Sequence, residues 1–201
     1  MLIIGMTGGI GSGKSEALKI FASLNIEVID LDKISKEITE KNQEAIQEIK
    51  NLFGQSLFNK ENELDRKKLR DMIFSDKNLK IKLENILHPK ILGEVKKKLS
   101  IFSDEPYVVI DIPLLFETNQ YVPLISRSLV IDCELSDQIE RVSKRDGMEI
   151  AMVQSIISQQ VDRNTRIQRG DDVILNDGSI ESLEEYIKKL HEKYLNLVAV
   201  K

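Results

Sequence analysis

One cysteine stands alone among 201 residues, so the chain has no intrachain disulfide to lean on. Cys133 closes an apolar run, where a small buried thiol is the expectation. No apolar stretch approaches the roughly 18 residues that a membrane-spanning helix needs. The N-terminal stretch carries no basic region followed by a cleavage site, as a secretory leader would. These absences point to a cytoplasmic protein with no membrane partner. Charge of one sign is also lacking: 29 basic and 33 acidic side chains leave a net charge of −4. That balance gives no reason to expect nucleic acid as a partner. The guanine-reading NKxD and a DxxG loop are both missing, the nearest string being Asn59-Lys60-Glu61-Asn62, which excludes a GTPase switch. Nor is there a compositional case for disorder, with 41% hydrophobic and 31% charged residues,. The length suits one α/β domain carrying an insertion, not two full domains with linkers.

What is present begins at once. Gly8-Gly9-Ile10-Gly11-Ser12-Gly13-Lys14-Ser15 matches the phosphate-cradling pattern GxxxxGK[ST],. It follows a strand-like run, Leu2-Ile3-Ile4-Gly5-Met6, and precedes Ala17, Leu18, Phe21 and Ala22 at helical spacing,. Several backbone N–H groups must meet the phosphate oxygens together, and glycine permits that close approach. The helix N-terminus adds the positive end of its dipole, Lys14 bridges the outer phosphates and the Ser15 hydroxyl suits Mg²⁺. ATP and Mg²⁺ are therefore the expected cofactors. The loop predicts contacts from Gly8, Gly9, Gly11, Ser12, Gly13, Lys14, Ser15 and the following Glu16.

Four further strands are predicted: 27–32 with Asp30 and Asp32 at its end, 107–112, 128–132, and 172–176 leading into the turn Asp177-Gly178,. Alternating with helices, they imply an α/β fold with a five-stranded parallel sheet flanked by helices. A final helix presents Ile180, Leu183, Ile187, Leu190, Tyr194 and Leu197 on one face,. Residues 33–103 break the alternation. Helical spacing of Leu79, Leu83, Ile86, Leu87, Ile91, Val95 and Leu99 marks a helical insertion that either caps a second substrate or merely covers the sheet. Within it, His88-Pro89 predicts a bend or restart of the helix, with His88 either binding a substrate phosphate or capping a helix. In residues 136–169, Arg141 and Arg145 lie four apart, while Arg163, Arg166 and Arg169 recur at threes. The alternatives are a lid whose arginines close over phosphates and a solvated face with interspersed Asp146, Glu149 and Asp162.

Taken in order, MTGGIGSGKS at the start, IDLDKI, LHP at 87–89, IPLLFE at 112–117 and GDDVILNDG at 170–178 closely resemble the dephospho-CoA kinase family. The resemblance spans almost the whole chain. It implies a P-loop kinase fold made as a single domain over 1–201. Its nucleotide core would be 1–32, 104–135 and 170–201, with a CoA-substrate insertion at 33–103 and a lid at 136–169. It implies transfer of a phosphoryl group from ATP to the ribose 3′-hydroxyl of dephospho-CoA, the last step of CoA biosynthesis, by a monomer needing no protein partner. Carried onto this sequence, it implies Asp32 as the acceptor of the hydroxyl proton, ahead of Asp30, and Asp111 as an indirect support for Mg²⁺ through water. His88, Pro89, Pro113, Leu114, Leu115 and Glu117 match the acceptor side. Arg141, Arg145, Arg163 and Arg166 match the lid, and Asn176, Asp177 and Gly178 the turn near adenine. Glu16, Leu31 and Gly170 depart from the family's usual threonine, alanine and alanine, and none removes a group the chemistry requires. The competing readings are a nucleoside monophosphate kinase, which shares the loop, insertion and lid, and a module that holds ATP without turnover.

Overall fold

The computed structural model describes residues 1–41 and 43–199. It divides the chain into two compact units, one made of Met1–Ile29 with Ile101–Lys201, the other of Asp30–Ser100.

The first unit is built on five strands, β1 (Leu2–Thr7), β2 (Val28–Asp30, its last residue lying outside the unit), β3 (Tyr107–Asp111), β4 (Arg127–Asp132) and β5 (Asp172–Leu175). They form one parallel sheet in the order β2-β3-β1-β4-β5. Central β1 aligns Met6 with Asp111 of β3 on one side and Thr7 with Val130 of β4 on the other. A parallel sheet is covered on both faces, so its strands read as unbroken apolar runs. Tyr107, Val108, Val109 and Ile110 are all fully buried accordingly. One face packs Leu2, Ile4, Met6, Leu129 and Ile131 against α1 (Lys14–Ser23) and α10 (Ile180–Ala199). Leu183, Ile187 and Tyr194 of α10 are buried there. Ile180 and Leu197, predicted on that face, are 60% and 39% exposed, because they occupy the terminal turns and overhang the apolar cluster. The unit also carries the short α6 (Leu115–Thr118), then α7 (Leu135–Asp146), α8 (Ile150–Ser158) and α9 (Arg163–Arg169). These last three helices fill the predicted lid stretch and belong to the same compact unit as the sheet. Cys133 is buried, as expected, and burial pushes its thiol pKa up to about 11.

The second unit is helical: α2 (Leu31–Lys41), α3 (Gln43–Phe53), α4 (Arg66–Ser75) and α5 (Lys77–Ile101), the last residue of α5 lying outside it. Ile49, Phe53, Leu57, Leu69 and Leu83 form its core. Asp65 caps α4 by accepting the Lys68 N–H at 3.0 Å, which holds its carboxyl below the usual carboxylate range,. Lys90 of α5 ties to Glu48 and Glu44 of α3 at 3.0 and 3.2 Å, and these partners raise its pKa. Arg66 joins α4 to α2 by donating to Thr39 Oγ1 at 2.6 Å and to the Lys36 carbonyl. Among the described residues this stretch has no strand, only a bridge between Phe58 and Leu64.

Two expectations change here. The second strand stops at Asp30, because the Asp30 carboxylate accepts the Lys33 N–H at 2.9 Å and so starts α2 at Leu31,. Leu31 and Asp32 therefore lie in the first helical turn rather than at a strand end. Helix α5 also runs unbroken through Pro89 instead of restarting there. The proline removes one helical hydrogen bond and crowds the carbonyl four residues back, and the apolar seam of Leu83, Ile91, Val95 and Leu99 holds the helix on either side of it.

Candidate active site

The chain leaves β1 at Thr7 and turns through the glycine loop into α1, at the carboxyl end of the central strand, where the strand order reverses direction. That is where open α/β sheets take ligands. Gly8 is required by space, since a Cβ there would lie 2.2 Å from the Ile131 carbonyl oxygen of neighbouring β4. Gly13 is required by both conformation and space. Its φ is +97°, and a Cβ would fall 2.2 Å from the Asn176 side-chain nitrogen,. As the cap of α1, Gly13 offers no side chain to the first amides of the helix, so they remain available to an anion. Ser12 shapes the loop from inside: its N–H closes a turn on the Gly9 carbonyl at 3.1 Å, and its hydroxyl is buried. Ser15 is exposed and Lys14 half-buried. Glu16 turns along the helix to pair with Lys19 at 2.9 Å.

Asn176 and the helices after β4 brace this loop. The Asn176 amide donates to the Ser12 carbonyl at 2.8 Å, and its own carbonyl accepts from Arg141 at 3.0 Å. Asn176 thus holds the phosphate loop, while Asp177 and Gly178 beyond it are exposed. Gln138 of α7 is buried, with its carboxamide 3.1 Å from where a Gly9 Cβ would stand. Gln160, between α8 and α9, accepts the Ile10 N–H at 3.1 Å.

The five arginines of the lid stretch divide sharply. Arg145 is 63% exposed and paired with Asp146, which raises its pKa and lowers that of the aspartate. Arg163 is held by Glu134 at 2.6 Å and Asp132 at 2.8 Å, and those carboxylates raise its pKa. Arg169 stacks on the Phe116 ring at 4.4 Å and donates to the Phe116 carbonyl and to Asn119. Unlike Arg145, Arg163 and Arg169, Arg166 lies directly against the loop. It is only 5% exposed, donates to the Val161 carbonyl at 2.6 Å, and places Nη1 3.0 Å from the position of a Gly9 Cβ. Among the described residues, no carboxylate lies within ion-pair distance of it. A buried cation without a counter-charge is costly. It lies beside a loop of open amides, a setting that suits an anion,.

On the other flank of β1, Asp111 ends β3 and is nearly buried, and Thr7 donates its hydroxyl to the Pro113 carbonyl at 3.3 Å. Leu114 is 40% exposed, whereas Leu115 is fully buried and belongs to the core. Glu117 accepts the Val161 N–H at 3.0 Å. In the helical unit, Asp32 is exposed in the first turn of α2, and within α5 His88 is half-buried and Pro89 exposed. Asp30 has its carboxylate engaged in capping α2 through the Lys33 N–H.

The residues fit Mg²⁺ arriving with a nucleotide. The Ser15 hydroxyl and the Asp111 carboxylate are hard oxygen donors of the kind it prefers. Among the described residues, no three His, Cys, Asp or Glu side chains form a metal cage. Mg²⁺ at such sites relies on phosphate oxygens plus one or two protein groups.

Gln138, Gln160 and Asp132 had no signal in the sequence beyond the strand-ending position of Asp132. They become site residues only when α7, the 160–161 segment and β4 meet the loop.

A family model described as dephospho-CoA kinase matches residues 2–182. The chain belongs to the dephospho-CoA kinase family. A relative named dephospho-CoA kinase, from Nitrosospira multiformis, is 41% identical over 197 residues, covering 98% of each chain. A crystal structure of a Thermus thermophilus protein superposes with a TM-score of 0.84 at 31% identity, covering 96% of this chain and 97% of that one. The dephospho-CoA kinase from Campylobacter jejuni gives 0.72 at 28% identity with the same coverage. As a member of the dephospho-CoA kinase family, the chain is a phosphotransferase of CoA biosynthesis on a P-loop kinase fold.

Proposed function

We propose that Mg²⁺–ATP binds with its phosphates in the loop 8–15 and that the γ-phosphoryl group passes to the ribose 3′-hydroxyl of dephospho-CoA, giving CoA and ADP. The observation that carries this reading is Arg166, a buried guanidinium without a carboxylate among the described residues, set against Gly9 of an open phosphate loop.

In this reading the backbone of Gly8, Gly9, Gly11, Ser12 and Gly13 shapes the cradle, Lys14 meets the β- and γ-phosphates, and Arg166 neutralises charge on the transferring group. The Ser15 hydroxyl, with Asp111 as an indirect support through water, would hold Mg²⁺, which when bound would supply charge neutralisation on the phosphate oxygens. Asp32 orients the attacking hydroxyl and takes its proton. Phosphoryl transfer is loose, so orientation matters more than basicity. His88, Pro89, Pro113 and Leu114 contribute to dephospho-CoA recognition. Arg141 braces the adenine-side turn 176–178, and Arg145 reaches a bound nucleotide from its exposed position beside Asp146. Arg163 contributes through its hold on Asp132 and Glu134. Residues 1–32, 104–135 and 170–201 act as the nucleotide core, 33–103 as the acceptor region and 136–169 as the lid. The enzyme works as a cytoplasmic monomer, which light scattering checks.

Coupled ADP release with Mg²⁺–ATP tests the reading, with dephospho-CoA, AMP, CMP or no acceptor present and the product weighed by mass spectrometry. ADP release that depends on dephospho-CoA, with CoA as product, is the expected result. Preference for AMP or CMP would make the protein a nucleoside monophosphate kinase. Silence with every acceptor, despite ATP binding, would leave a non-catalytic binder.

A further inference from the structure

We propose that Glu117 is a positioning residue for Arg166: by fixing the Gln160–Val161 segment, it holds the Arg166 guanidinium against the phosphate loop rather than contacting the acceptor. The inference rests on the kinase reading for its catalytic consequence, though not for its geometry.

Three hydrogen bonds converge on two consecutive residues. Gln160 accepts the Ile10 N–H of the phosphate loop through its side chain at 3.1 Å. The Val161 N–H donates to Glu117 Oε1 at 3.0 Å. The Val161 carbonyl accepts from Arg166 Nη2 at 2.6 Å. The two bonds at Val161 lie on either side of its Cα and so fix both its φ and ψ. The bond from Gln160 fixes the preceding residue relative to the loop. Immediately afterwards Asp162 caps α9 by accepting the Thr165 N–H at 2.9 Å, so the clamp also sets where the helix bearing Arg166 begins.

Arg166 depends on this arrangement more than its neighbours do on theirs. Arg163 has two carboxylates to orient it, and Arg169 an aromatic ring and two acceptors. Arg166 is buried with the Val161 carbonyl as its hydrogen-bond acceptor. Rotation of Val161 would remove that acceptor and let the guanidinium leave Gly9. Glu117 sits in the strand-end stretch 112–117 whose resemblance suggested acceptor contact, but its carboxylate faces the lid segment.

The test compares Glu117→Ala, Glu117→Gln, Arg166→Ala, Gln160→Ala and the double variant Glu117→Ala/Arg166→Ala. The readouts are kcat, KM for each substrate, and ATP affinity by competition with a fluorescent ATP analogue. Thermal unfolding confirms that each is folded. Gln keeps an oxygen for the Val161 N–H, so Glu117→Gln is expected within about 3-fold of wild type, while Glu117→Ala loses about 10-fold in kcat and weakens ATP binding with KM for dephospho-CoA little changed. Because Glu117 acts through Arg166, the double variant is expected within about 2-fold of Arg166→Ala alone. Should Glu117→Ala fail to fold, Gln160→Ala must show the same ATP-side loss, and full ATP affinity there would overturn the proposal. A selective rise in KM for dephospho-CoA, equal losses in the Gln and Ala variants, or additive losses in the double variant would also overturn it. The nucleotide titration needs no acceptor. If dephospho-CoA were not turned over by wild type, the kinase reading would fall while the Glu117–Arg166 coupling was still decided.

Discussion

Two buried charges at opposite ends of the parallel sheet, Asp172 and Arg166, are compensated in opposite ways. At the amino ends of β4 and β5, Asp172 is almost fully buried and saturated with partners: Arg127 at 3.0 Å, Tyr194 at 3.1 Å and the Lys193 ammonium. Burial alone would raise the Asp172 pKa, but the hydrogen bonds from Lys193 and Arg127 outweigh it and hold the carboxyl below its ordinary value,. Burial, reinforced by the Asp172 charge, pushes the Tyr194 hydroxyl up. At the carboxyl ends, beside the phosphate loop, Arg166 is buried to a similar degree and has a carbonyl where Asp172 has cations. Asp172 is electrically closed by its own partners, whereas Arg166 is the charge that the proposed function gives to the phosphates. Structural charge and functional charge are thus distinguished here by compensation, not by burial.

The sharpest way to break this comparison is to remove charge from each end. At the loop, Lys14→Ala is expected to lower kcat by on the order of 10²-fold or more, because it deletes a cation aimed at charge developing in the transition state. Its melting temperature should stay close to that of wild type. A loss of only 2-fold would show that the loop is not acting as a catalytic cradle.

Asp32→Asn comes next. It should depress kcat by on the order of 10²-fold while leaving KM for both substrates within a few fold, the signature of a group used in the transition state. Asp30→Ala in parallel should instead cost stability, about 1 kcal/mol, through the lost cap of α2,. A variant at Asp32 with normal turnover would move the role elsewhere.

The sequence exposed the features that depend on local pattern. The glycine loop, the apolar strand runs and the helical seam of α5 were all readable, because each follows from an unbroken apolar run, a spacing of 3.6 residues or backbone conformations that only glycine allows. What escaped depends on contacts between distant segments. Asp30 reads as the penultimate acid of a strand until its side chain is seen capping Lys33. The arginines at 163, 166 and 169 look alike in sequence, and only Asp132, Glu134, Val161 and Phe116 separate their roles. Gln138 and Gln160 are ordinary polar residues until the fold sets them under the loop. Family resemblance supplied the acceptor, which no spacing in the chain encodes.

At the closed end, Asp172→Asn should leave kcat nearly unchanged and lower the unfolding free energy by on the order of 3 kcal/mol. That is the low end for breaking a buried ion pair, because the Lys193 side chain is 47% exposed and can regain water,. Urea unfolding followed by circular dichroism measures it. A large loss of activity without loss of stability would erase the distinction between the two ends.

The smallest effect lies in the acid limb of stability. Asp172 titrates below the ordinary aspartate value of 3.8 in the folded protein, so the unfolded chain binds its proton first as pH falls. Its contribution is complete above that unfolded value and disappears as pH drops through the lower folded one. Wild type should therefore lose stability more steeply than Asp172→Asn below about pH 4, where the aspartate titrates, and the two curves should converge at the acid extreme. Near neutral pH the gap between them should be constant, since no Asp172 proton is exchanged there. Parallel curves down to the acid extreme would mean that the charge on Asp172 contributes nothing beyond its hydrogen bonds, and that the amino end of the sheet is held by packing and not by ion pairing.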